Sequence, residues 1–176
     1  MKTHIVLTII LLINFLLISC VSKTQNPEVK TQSSYEENLI KANKGLLEMD
    51  KGRIENYIKR RNWNMQITQS GLWYFIYDKK EGAKAKVGNI VTLKYQLELL
   101  DGTICYNSDS LGNKTFKLGQ GGVESGLEQA VLMMAEGEKA FFILPPYMAH
   151  GLLGDENRIP SRAVIVYLVE LLKIEK

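Results

Sequence analysis

Hydrophobic residues follow three successive patterns along this chain. The first is a nearly solid apolar run from Ile5 to Ile18, broken only by Thr8 and Asn14 and preceded by Lys2 and His4. A basic start ahead of a run this short reads as the core of a signal peptide rather than a membrane span. After a polar stretch containing Pro27, the second pattern begins: Ile40, Leu47 and Ile54 recur every seven residues. Leu39, Leu46, Tyr57 and Ile58 widen that stripe, which predicts an amphipathic helix. Gly45 and Gly52 each weaken a helix by about 1 kcal/mol and predict a bend or break between them.

From Met65 onward the period falls to two. Leu72–Tyr77 is an apolar, β-rich run, and Val91, Leu93, Tyr95, Leu97 and Leu99 alternate with Thr92, Lys94, Gln96 and Glu98. That alternation predicts an antiparallel strand with one wet face, and Asp101-Gly102 after it predicts a hairpin turn. Thr115–Leu118, Lys139–Pro145 and Ala163–Ile174 read as further strands, with a glycine-bearing loop from Pro146 to Ser161. Ser125 and Glu128 have capping-box spacing, and Leu127, Ala130, Val131 and Met134 follow at helical period, so a short helix ending at Gly137 is expected. The fold class is therefore α+β: an antiparallel β-sheet wrapped around one short α-helix, preceded by an N-terminal amphipathic helix. The boundaries are a signal segment 1–19, a flexible tether 20–34, a helical segment 35–62 and a domain 63–176.

Composition narrows the chemistry. The chain has 176 residues, 45% hydrophobic and 23% charged, enough to bury a core without staples. A net charge of +3, part of it from Lys2, argues against a nucleic-acid partner. The two cysteines, Cys20 and Cys105, rule out a disulfide scaffold, and the two histidines, His4 and His150, rule out a histidine-rich metal site. No nucleophile elbow is present. Gly119-Gln120-Gly121-Gly122 lacks the Lys-Ser/Thr that phosphate binding needs and reads as a tight turn. Asp101, Asp155 and Glu156 read as solvated loop acids. No metal and no cofactor are expected.

Two resemblances add to this. Leu17-Ile18-Ser19-Cys20 resembles a bacterial lipobox, which implies acylation of Cys20, attachment to a lipid bilayer, and a place in the cell envelope facing the periplasm. The stretch Val87–Ile174 resembles the FKBP domain, the fold of a peptidyl-prolyl cis/trans isomerase family. The matching pieces run in order: Lys86-Val87-Gly88-Asn89, Val91–Tyr95, Leu100-Asp101-Gly102-Thr103, Phe116–Gly119 and Val123–Leu127. Met134–Lys139, Leu144-Pro145, His150-Gly151, Ile159-Pro160 and Val169–Leu172 complete the set. A lipid signal and a helix ahead of such a domain are most similar to gliding-motility-associated FKBP-type lipoproteins.

The resemblance implies a prolyl isomerase acting on proline-containing polypeptide clients, in folding of exported proteins or in motility machinery. The alternative is a protein-binding module of the same fold with little turnover. The catalytic positions it implies are Tyr95, Phe116, Tyr167 and His150, the last standing where a tyrosine donates to the ligand carbonyl. Substrate-binding positions are Cys105, Tyr106, Val123, Glu124, Leu127 and Ile159. Several depart from the family pattern: Cys105 replaces a phenylalanine, Tyr106 an aspartate, Glu124 an isoleucine and Leu127 a tryptophan. Cys105, with no disulfide partner once Cys20 is acylated, is either a reactive thiol or a small buried hydrophobe.

Overall fold

The computed structural model describes residues 27–176. The signal segment 1–19, Cys20 and the start of the tether lie outside these residues. No helix among the described residues is long and apolar enough to cross a membrane. The chain divides into two units, Met1–Asn43 and Lys44–Lys176, and the second holds the sheet, both cores and the site.

Helix α1 runs Pro27–Arg61 and so begins inside the stretch expected to be a flexible tether. Proline suits a helix start, where its missing N–H costs nothing. The expected break between Gly45 and Gly52 does not occur, and one helix runs through both. Beyond Gly52 the helix is anchored by Ile54 and Tyr57, both buried, which offsets the glycine penalty. Among residues 33–61 its buried side chains are Asp50, Ile54 and Tyr57, and Leu47 and Met49 stay exposed.

Seven antiparallel strands form one sheet: β1 (Gln66–Ile67), β2 (Trp73–Asp78), β3 (Ile90–Leu99), β4 (Ile104–Asn107), β5 (Lys114–Lys117), β6 (Lys139–Leu144) and β7 (Ile165–Glu175). Their order is β1-β2-β6-β7-β3-β4, with β5 also paired to β3. On β3 the expected alternation holds: Val91, Leu93, Tyr95 and Leu97 are buried while Lys94 is exposed. Asp101 closes the turn into β4 by accepting from the Thr103 N–H at 2.9 Å, and Gly102 supplies the left-handed φ of 91°. A one-turn helix α2 (Ser108–Leu111) follows β4, capped by the Asn107 side chain.

Helix α3 (Ser125–Val131) lies in the curl of the sheet, with Leu127, Ala130 and Val131 fully buried in the main core. Gly126 permits this seat, because a Cβ there would stand 2.6 Å from the Leu144 side chain and 2.9 Å from the Met148 carbonyl. The capping box does not form. Glu124 is the cap residue and caps with no side chain, while Glu128 accepts from the Gly119 and Gly121 N–H groups at 3.2 and 3.0 Å. Tertiary demand for that carboxylate outweighs the local one. The helix also ends at Val131, well before Gly137, whose φ of 82° turns the chain into β6.

A second, smaller core lies on the other face of the sheet. Ile54 and Tyr57 of α1 pack there against Ile143, Val164 and Val166, and the Tyr57 hydroxyl donates to Glu98 at 2.9 Å.

Candidate active site

Tyr95 and Tyr167 define the inner wall. Antiparallel pairing sets Tyr95 opposite Val169 and Leu97 opposite Tyr167, so the two rings share one face of adjacent strands. Their centroids are 6.2 Å apart at 54°. Tyr95 is 8% exposed and Tyr167 is fully buried. Leu127 of α3, with no exposure, and Ile159, 2% exposed and on the loop before β7, belong to the same core. Val123 packs half-buried beside them.

Glu124 turns its side chain into this wall instead of leaving only its backbone there. Its Oε1 accepts from the Tyr167 hydroxyl and from His150 Nε2, each at 2.9 Å. The carboxylate can only accept, so His150 carries its proton on Nε2 and spends that N–H on Glu124. In the structure that nitrogen is turned to Glu124. Burial, reinforced by the Glu124 charge, raises the Tyr167 hydroxyl well above its ordinary range, and the same two causes raise Tyr95. Both phenols therefore stay protonated donors at neutral pH.

Lys114 completes the cluster, and sequence reasoning did not single it out. Its Nζ lies 4.0 Å from Glu124 Oε2 and 5.3 Å from the centre of the Tyr95 ring. Register explains why Lys114 and not Phe116 reaches the site. Lys114 pairs with Leu93, next to Tyr95 on the same face, whereas Phe116 pairs with Val91 farther down β3. Phe116 packs half-buried against the main core. The i, i+2 alternation from Phe116 was the signal that could have found Lys114. A cavity of about 370 Å³ opens here, lined by Lys114, Val123, Glu124, Ala149 and His150 over the Gly121-Gly122 backbone. A larger open cleft of about 520 Å³ along β1 and β2 is remote from this wall and touches none of these residues.

The outer wall is built by Cys105, Tyr106 and the loop. The Tyr106 hydroxyl donates to the Asp155 carboxylate, which also accepts from the Asn157 and Ile159 N–H groups at 3.0 and 2.7 Å. Asp155 is thus a loop-organising residue and not the solvated acid expected. Burial works to raise its carboxyl, but the bonds from Tyr106 and the backbone outweigh it and hold the group at about 2. Arg158 donates to the Cys105 carbonyl at 2.9 Å, and its guanidinium carbon lies 5.4 Å from the Tyr106 ring centre. Neither Asp155 nor Arg158 was expected in the site. Cys105 is 1% exposed, and burial pushes its thiol up, with the Asp155 and Asp101 charges adding to the effect. That environment makes Cys105 a small buried hydrophobe.

Known proteins agree with this architecture. The family model for FKBP-type peptidyl-prolyl cis-trans isomerase matches residues 81–172. The FKBP-type peptidyl-prolyl cis-trans isomerase FkpA of Aeromonas hydrophila is 38% identical over 136 residues, which cover 72% of this chain and 50% of that protein. FK506-binding protein 2 of Debaryomyces hansenii is 35% identical over 107 residues, covering 60% of this chain and 78% of that one. The crystal structure of FkpA from Escherichia coli superposes with a TM-score of 0.64 at 25% identity, over 88% of this chain and 75% of the other. The chain spans half the length of the Aeromonas relative. With a matched region that takes in both tyrosines, the short helix and the His150 loop, the chain belongs to the FKBP-type peptidyl-prolyl cis-trans isomerase family.

Proposed function

We propose that this chain is a prolyl isomerase, anchored in the cell envelope and facing the periplasm, that speeds folding of exported proline-containing polypeptides. One observation carries the catalytic reading: the phenol rings of Tyr95 and Tyr167, 6.2 Å apart, share one core cluster with Leu127 and Ile159. Rotation about a prolyl amide faces a barrier of about 18–20 kcal/mol because the planar bond is resonance-stabilised, and no covalent step is needed. A dry apolar bowl removes water from the amide and favours its twisted, less polar form. Hydrogen bonds made only to that form then lower the barrier. Tyr95 and Val123, the less deeply buried members, meet the proline ring, Tyr167 and Leu127 back them from within the core, and the Glu124 backbone N–H meets a substrate carbonyl. Cys105 and Tyr106 shape the far wall.

Attachment rests on the lipobox-like Leu17-Ile18-Ser19-Cys20. Cys20→Ser moves the protein from the membrane fraction to the soluble one; persistence at the membrane would sink the anchor. The order of lipid signal, helix and domain, similar to gliding-motility-associated lipoproteins, supports clients within motility machinery.

A second reading, a binding module with little turnover, is favoured by the charges of Lys114 and Glu124 at the wall where a dry surface is needed. A prolyl isomerisation assay on residues 21–176 separates the two. Acceleration that Tyr95→Ala abolishes establishes the enzyme. A folded protein without acceleration establishes the binding module.

A further inference from the structure

The loop that carries His150, Asp155 and Ile159 returns to the sheet through Arg162, which is held from two sides. Its backbone N–H donates to the Gly151 carbonyl at 3.1 Å and so ties the end of the loop to the residue after His150. The Ser161 hydroxyl donates to the Leu152 carbonyl at 2.6 Å, so the two limbs are joined twice at their base. From the other side, Arg162 Nη2 donates to Asp50 Oδ2 of helix α1 at 2.7 Å. Asp50 is only 4% exposed, and its Oδ1 faces Arg53 of the same helix at 3.8 Å.

Stability alone would not select this arrangement. Arg162 has a φ of 56°, in the left-handed region that an L side chain enters at a cost and keeps only where its surroundings hold it. Withdrawing a carboxylate from water to pair it with an arginine gains little net stability, and a packed apolar residue often does as well. What the pair supplies is direction: a charge-assisted bond to a rigid helix fixes where the backbone bearing the guanidinium must lie. We propose that Asp50 is a positioning residue for the site, acting through Arg162 to hold the 150–162 loop against the tyrosine wall. Ile159, three residues before Arg162, belongs to the core cluster of Tyr95 and Tyr167, and His150 bonds to Glu124. A displaced loop base therefore moves both. This role rests on the isomerase reading and gives helix α1 a part in it.

Asp50→Ala in the full chain is expected to lower kcat/KM for a prolyl peptide by about ten-fold, since small misplacements of a binding wall act on that scale or above it. Arg162→Gly should do the same although glycine relieves the strained φ, and it keeps the test alive should Asp50→Ala fail to fold. The double variant loses no more than either single one, because both act through one bond. Hydrogen exchange separates positioning from general weakening: in Asp50→Ala the amides of Ile159 and Arg162 exchange faster, and those of β6 and β7 do not. Either variant folded with kcat/KM unaltered overturns the proposal, as does a loss accompanied by faster exchange throughout β6 and β7. Additive losses in the double variant also overturn it. If the unaltered chain isomerises no peptide, the isomerase reading fails by itself. Exchange alone then decides the clamp: acceleration confined to the loop sustains it, and no acceleration, or one that spreads into the sheet, ends it.

Discussion

Tyr106 and Asp155 are joined across the outer wall, the phenol on strand β4 donating to a carboxylate on the facing loop. The consequence is measurable in acid. An aspartate carboxyl ordinarily titrates near 3.9, and here the folded state holds it at about 2. A carboxyl depressed by folding adds stability above its ordinary value, and that stability is lost as pH falls through the folded one. The loss falls between about pH 4 and pH 2. Tyr106→Phe removes the side-chain donor, so the folded value climbs and stability depends less steeply on pH in that window. Urea midpoints at a series of acid pH values read the slope. An unchanged slope would mean that the backbone donors alone hold Asp155 down.

At the scale of elements, strands β6 and β7 carry the architecture because both their faces are covered. Phe142, Leu144, Ile165 and Tyr167 face the main core, while Ile143, Val164 and Val166 face helix α1. Side chains that alternate strictly between two cores forbid a one-residue slip, which would exchange every contact at once. The helix also reaches the loop side of the domain, where Arg162 donates to buried Asp50 at 2.7 Å. Ile54→Ala leaves a void between helix and sheet and is expected to cost about 2–4 kcal/mol in chemical denaturation. Because Ile54 lies on the face opposite the tyrosines, kcat/KM in the isomerase assay should be unaltered. A drop in activity at full folding would show that the helix packing reaches the bowl.

For the molecule as a whole, what could be read in the sequence was whatever repeats. The alternation of β3, the long apolar β7 and the seven-residue stripe of α1 announced themselves, and with them came Tyr95 and Tyr167 on an inward face. Strands β1 and β4 and helix α2 are too short for any period to build up. The start of α1 at Pro27 lies in polar sequence with no stripe to mark it. Glu128 fitted a capping box locally, yet its carboxylate serves the Gly119–Gly121 turn, a choice only the folded chain imposes. Asp155 and Arg158 belong to an irregular loop whose shape comes from bonds to distant residues, so their place was invisible. Lys114 was within reach of the alternation rule, but a charge at an inward position argues against itself.

The two walls of the bowl differ in how firmly they are held. Tyr167 belongs to a strand hydrogen-bonded on both edges and buried on both faces, where amide protons exchange only when most of the domain opens. His150 and Ile159 ride on a loop pinned by a few bonds, among them those to Asp155 and the Ser161 hydroxyl contact with Leu152. Breathing of the site is therefore one-sided. On the isomerase reading proposed above, a polypeptide would therefore be admitted from the side of this loop rather than through the sheet.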